Sequence, residues 1–340
     1  MTGNEKQMEN IEAEDFPAIR GLTLRRYQGK GDIPAMVAVI NHSRAADGVD
    51  FITTEGDIVA DFSNPLDFDP KSDILIAEIE GDMVGLARVT WEKRADGKKS
   101  YRHSAELLKE WRGQGIREAL FLHNERHILR IAKMDDEGGA GHLELWANDT
   151  DNEWRSIIVN NGYREVQHVI DMVRSLDDIP KMPLPDGFEI RPVSPEHHRK
   201  IWEACKESKQ KEWDYSDNIW DDEHFEAFKK TSGFQPDLWQ VAWKGDTLAG
   251  MVLNYIVDEE NKRAERKCGH TEHVFVREQY RGKGLARALL ASSFHVLKDH
   301  GMDDATLGME IENPHDPIRL YEGMGFTVIK HYTWYRKPIA

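Results

Sequence analysis

Four short stretches of this chain occur twice, in the same order. "GLTLRR" at Gly21 returns as "GFEIRP" at Gly187, and "IAEIEGDMVG" (Ile76–Gly85) returns as "QVAWKGDTLAG" (Gln240–Gly250). "EWRGQGI" (Glu110–Ile116) returns as "QYRGKGL" (Gln279–Leu285), and "VNNGY" (Val159–Tyr163) as "EGMGF" (Glu322–Phe326). Measured from Gly21 to Gly187, Gly81 to Gly245, Gly113 to Gly282 and Gly162 to Gly325, the offsets are 166, 164, 169 and 163 residues. An offset this long and this constant marks a duplicated domain, since solenoid repeats have periods of roughly 20–50 residues. A chain of 340 residues also fits two cores better than one.

Pro180, Pro183 and Pro185 stiffen the chain where no helix can continue, which predicts a linker over 177–186. The expected organisation is a loose tail (1–18), a first domain (19–176), the linker, and a second domain (187–340). Each half reads alike: a short strand, charged helical stretches, then a hairpin turning at Gly81-Asp82 or Gly245-Asp246. In the second half "TEHVFV" (Thr271–Val276) is a strand. Leu285, Ala288, Leu289, Ser292, Phe294 and Val296 then fall largely on one side of a helix that Gly301 stops. Hairpins before one strand–loop–helix unit predict an α+β fold, twice over: a mixed, mostly antiparallel sheet flanked by helices.

Charge narrows the partners. Lys and Arg number 45 against 61 Asp and Glu, a formal net charge of −16. Such a surface disfavours nucleic acid and anionic membranes as partners. No apolar run is long enough to span a bilayer. The opening "MTGNEKQMENIEAEDF" lacks the regions of a signal peptide, so a cytoplasmic protein is expected, as monomer or homodimer. Cys205 and Cys268 are the chain's two cysteines, too few for a disulfide framework or a four-cysteine zinc site.

The stretch "VREQYRGKGLARALL" (Val276–Leu290) places Gly-Lys-Gly where a strand hands over to a helix. A Walker loop would need Lys then Ser or Thr after the second glycine, but Leu285 follows Gly284. A dinucleotide fingerprint would need a small residue where Arg287 stands. What remains is Gln-x-x-Gly-x-Gly, built on Gln279, Gly282 and Gly284. Its backbone N–H groups from Arg281 to Leu285 could cradle a pyrophosphate at a helix start. The alternative is a glycine turn that only reverses the chain.

These residues, with "ENPHDPIRLYEGMGF" (Glu312–Phe326) at the following spacing, resemble the GNAT superfamily of acetyl-CoA-dependent N-acetyltransferases. The likeness is fuller in the second half than in the first. The paired arrangement is similar to mycothiol synthase and related tandem acetyltransferases. The resemblance implies that acetyl-CoA is the co-substrate, its pyrophosphate on Gln279, Arg281, Gly282, Lys283, Gly284, Leu285 and Ala286. It implies that Val274, Phe275 and Val276 line the pantetheine arm through their backbone and that Asn313 bonds the arm from its other side. The valines would be buried in any strand, and Asn313 could instead cap a helix.

Acetyl transfer to an amine needs a base for the ammonium proton and an acid for the departing thiolate. Tyr321, four residues before Gly325, stands where many GNAT enzymes hold the acid; the other reading is a packed aromatic. Glu272 stands where several hold the base; the other reading is an exposed edge charge. Strand alternation would put Glu272, Val274 and Val276 on one face, with His273 and Phe275 on the other. His270 and His273 are further candidate bases. "HTEH" splits its imidazoles across two faces without a third ligand, so no metal is expected. Cys268 reads as an ordinary strand residue.

The expected activity is acetyl transfer to a primary amine of a small molecule by direct attack. The alternatives are a non-catalytic acyl-CoA-binding sensor, or an acetyltransferase acting on protein N-termini or lysines. "EWDYSDNIWDDEHFEAF" (Glu212–Phe228) mixes acids and aromatics and is expected either to read a cationic amine or to form an amphipathic helix. The first half keeps its turn at Arg112–Ile116, but Ile158 stands in place of Tyr321. Counting by the turn offset puts His103 in place of Glu272, and Glu106 interrupts the valine pattern. The first half is therefore expected to be a scaffold.

Overall fold

The computed structural model describes residues 16–49, 52–63, 68–93, 98–134, 141–210, 220–311 and 317–339. The chain divides into two compact units, Met1–Val166 with Thr333–Ala340, and Gln167–Tyr332.

In the first unit β1 (Leu22–Arg26) leads to α1 (Ile33–Ala46), α2 (Glu55–Ser63) and the short α3 (Pro70–Asp73). Next come β2 (Ile74–Ile79), β3 (Asp82–Lys93), β4 (Lys99–Leu107), α4 (Ile116–Met134), β5 (His142–Asn148) and α5 (Asn152–Asn160). Strands β1 to β4 pair antiparallel in chain order, and β4 pairs parallel with β5. The β2–β3 turn lies at Glu80 and Gly81, with φ of 54° and 95°. Two left-handed residues match the twist of a hairpin. The turn sits one residue earlier than the Gly-Asp pair implied, and Asp82 opens β3. Helices cover both sheet faces. Ile74, Ile76 and Leu86 meet Met36 and Ile40 of α1, while Leu75, Ala87 and Val89 meet Leu120 and Phe121 of α4. The chain's last residues complete this unit, with Arg336 donating to Glu144 (2.5 Å) and the Ile339 N–H to the Gly141 carbonyl (2.9 Å).

β6 (Arg164–Ser175) belongs to the second unit from Gln167 onward. β7 (Glu189–Ile190), α6 (His198–Lys209), α7 (Asp222–Phe228), β8 (Gln240–Lys244), β9 (Thr247–Tyr255) and α8 (Asp258–Arg263) follow. β10 (Cys268–Val276), α9 (Leu285–Asp299), β11 (Asp304–Glu310), α10 (Pro317–Glu322) and β12 (Thr327–Pro338) complete the order. The strands lie β6-β11-β10-β9-β8-β7, antiparallel except for β10 and β11. Alternation along β8 and β9 splits the core. Val241, Trp243, Met251 and Leu253 pack with Ile201 and Cys205 of α6; Ala242, Ala249 and Val252 pack with Leu285, Leu289 and Phe294 of α9.

The units part at Val166 and Gln167, before the prolines of 177–186. The reason is pairing: Val169–Ser175 of β6 lie antiparallel to Glu310–Asp304 of β11. A strand that reads as the end of the first half is thus laid into the second sheet. Among the described residues no helix is long and apolar enough to cross a membrane.

Candidate active site

β10 and β11 pair only from Cys268–Asp304 to His270–Thr306; beyond that their ladder stops. On its other side, β10 slips against β9. Glu272 stands opposite Leu253 and Phe275 opposite Met251, so Val252 faces both His273 and Val274. This is a β-bulge, with His273 held at φ 47°, a conformation costly for a residue with a Cβ. The bulge breaks the expected alternation. Residues opposite each other in a ladder share a face. Glu272 and Phe275 therefore share the face of Leu253 and Met251, where α6 packs. Val274 and Val276 pack into the other cluster, with Leu285, Leu289 and Tyr321.

Around Glu272 the charges and rings are close enough to perturb one another. Burial, and then the Glu272 carboxylate, push the Tyr321 phenol above its ordinary range. That hydroxyl keeps its proton at neutral pH and can only donate it. The Tyr321 ring meets Phe326 edge-on at 5.9 Å. Tyr255 is raised by burial first, then by Glu272, Glu260 and Asp171. His270 stacks on Tyr255 at 4.5 Å, and its Nε2 lies 3.1 Å from Glu260. His270 is therefore a packed, bonded side chain, poorly placed to serve as a free base. Burial, aided by Lys209, lowers His273 to about 4. The Cys268 thiol is pushed up to about 11 by burial, which leaves it protonated and inert at neutral pH.

The glycine turn follows β10. Gly282 and Gly284 have φ of 74° and 83°, a region that favours glycine, and a Cβ on either would meet nothing within 4 Å. Gly284 is the residue from which α9 starts, so the open side of the turn coincides with the positive end of a 15-residue helix. One of the five expected amides is spent inside the turn: the Arg281 N–H donates to the Glu278 carbonyl (3.2 Å). The Arg281 side chain reaches back to the Val276 carbonyl (2.9 Å) and ties the turn to the strand. Gln279 and Lys283 are exposed, Ala286 is half-buried and Leu285 is core. Asn313 lies outside the described residues.

The aromatic segment after β7 is built differently from a cation-reading loop. Its first part, to Asn218, lies outside the described residues, together with Ile219. In the rest, Trp220, Phe225 and Phe228 all pack against Trp202. The Phe225 ring is already covered by Arg199 at 4.0 Å and Lys229 at 4.9 Å. These rings are spent on the core and on the protein's own cations, because α7 is amphipathic and turns them inward.

In the first unit β4 runs beside β3 from Lys99 to Leu107 without a slip. Gly85 opposite Leu107 corresponds to Gly250 opposite Val276, so Ser104, opposite Arg88, corresponds to Glu272. The bulge inserts one residue, and His103 is displaced from that role. His103 is buried with its Nε2 2.7 Å from the Tyr163 hydroxyl, and burial, with Lys337, lowers it to about 3. Ile158 lies in the core.

Residues 202–326 match the Acetyltransferase (GNAT) family. The mycothiol acetyltransferase of Thermobispora bispora is 26% identical over 202 residues, 58% of this chain and 66% of its own length, just under two thirds. A GCN5-related N-acetyltransferase from Sphaerobacter thermophilus shares the fold, with a TM-score of 0.72 at 21% identity over 95% of this chain and 97% of that one. A tandem GNAT protein from the clavulanic acid biosynthesis pathway does so at 0.67, with 13% identity over 94% and 99%.

Proposed function

We propose, from the match of residues 202–326 to the GNAT acetyltransferase family, that the protein is an acyltransferase whose second unit moves an acetyl group from acetyl-CoA to a primary amine of a small molecule. One observation carries this reading. β10 leaves β11 after His270, bulges at His273, and ends at an outward-facing glycine turn on a helix start. The gap beside β10 gives a pantetheine arm unpaired strand backbone to bond, and the turn gives its pyrophosphate a cradle.

The amine nitrogen attacks the thioester carbonyl carbon, the C–N bond forms and the C–S bond breaks. Glu272 takes the ammonium proton, directly or through water. Tyr321, kept protonated by its burial, returns a proton to the thiolate. The likeness to a mycothiol acetyltransferase supports a small-molecule acceptor. The test is release of free thiol from acetyl-CoA across a panel of small amines. Amine-dependent release that Gly282→Glu removes is expected. Tight acetyl-CoA binding without release for any amine would instead mark a sensor.

A further inference from the structure

The first unit carries its own copy of the glycine turn, and the copy is already filled. Gly113 and Gly115 have φ of 71° and 84°, so the backbone shape of the second turn is kept. The 19-residue α4 begins right after it, at Ile116. Yet the Gly113 N–H donates to Glu153 Oε1 at 2.7 Å. A carboxylate from the start of α5 thus sits on an amide that a phosphate oxygen would need.

The neighbouring cations are spent as well. Arg112 makes a two-pronged contact with Asp47 and also reaches the Ser43 hydroxyl (3.1 Å). Arg117, 4% exposed, lies 2.8 Å from Asp151, 3.7 Å from Asp47 and 3.8 Å from the other oxygen of Glu153. A Cβ on Gly115 would touch Pro17 at 3.8 Å, so a proline ring stands over the second glycine. Between β4 and β5, lined by His103, Glu106, Arg117, Trp146 and Asp151, a cavity of about 60 Å³ remains. About 10–15 Å³ of such space holds one water, so this is room for a few waters.

We propose that Glu153 is an internal surrogate for a phosphate, which keeps the first unit's turn closed to acyl-CoA, so that each chain binds one acyl-CoA, in the second unit. This rests on the proposed function for the location of that one site. An incoming pyrophosphate would have to displace a carboxylate held by a backbone N–H and by Arg117, and would compete with Glu153, Asp47 and Asp151 for the same two arginines.

The experiment is calorimetric titration of the full chain with coenzyme A, with folding of each variant checked by thermal melting. The wild type is expected to bind one equivalent and Gly282→Glu none. Adding Glu153→Ala to Gly282→Glu should restore weak binding, which a third change, Gly113→Glu, removes again. Two equivalents on the wild type would overturn the inference, as would no recovery on Glu153→Ala. So would residual binding in Gly282→Glu that Gly113→Glu abolishes. Residual binding in Gly282→Glu that Gly113→Glu leaves untouched would instead count against the second unit's turn, and so against the proposed function.

Discussion

In the proposed mechanism Tyr321 and Glu272 divide two proton transfers between them, and each is open to a one-atom test. Tyr321→Phe keeps the ring against Phe326 and deletes the proton. Turnover should fall on the order of a hundredfold while acetyl-CoA affinity holds, as steady-state kinetics and titration would show. Glu272→Gln should cost a similar factor at neutral pH and recover in part at high pH, where the amine loses its proton unaided; a flat deficit across pH would remove Glu272 as the base. His103 yields a stability prediction. Its ordinary value is 6.5 and its folded value about 3. The unfolded chain therefore binds this proton first on acidification. The stability from keeping His103 neutral is whole above pH 6.5 and drains away as pH falls towards 3. Between pH 7 and 5 the loss is about 2 kcal/mol for one such group. Urea midpoints for His103→Phe should change less over that interval than those of the wild type. At this scale the glycine turn was legible because positive φ at Gly282 and Gly284 demands that residue type. The face of Glu272 was misread because alternation assumes an unbroken ladder.

That break belongs to an element. The helices, the hairpins and β11 follow from periodicity, since burying one face of a helix or strand dictates its pattern. A bulge leaves no such pattern: it is one extra residue that only the partner strand reveals. Its trace appears once the ladders are known. Arg102 and His270, last in their parallel ladders, are 168 residues apart, whereas Gly113 and Gly282 are 169 apart. The step says that a residue was inserted, but not where. Deleting His273 should therefore leave a folded protein, because β4 shows the same strand pairing without a slip. It should leave Glu272 opposite Leu253, on the face away from Val276, but remove the kink that aims its carboxylate. A melting temperature within a few degrees of wild type, with turnover down at least a hundredfold, is the expected result. Retained turnover would mean that the bulge does not orient the base.

Across the whole molecule the duplication was plain, because four echoes in order constrain the chain more than any single motif. The division between units was not. Proline marks a place where the chain cannot be helical, but the sheet that a strand joins is decided by partners far away in sequence, here β11 for β6. The same holds for the first unit's turn, whose glycines promise an anion site that Glu153 already fills. The central claim is that one unit of the two performs the chemistry. The most direct measurement is turnover of Gly282→Glu beside Gly113→Glu, with circular dichroism confirming that both are folded. Activity lost in Gly282→Glu and kept within a few-fold in Gly113→Glu is the predicted result; equal losses in the two variants would contradict it.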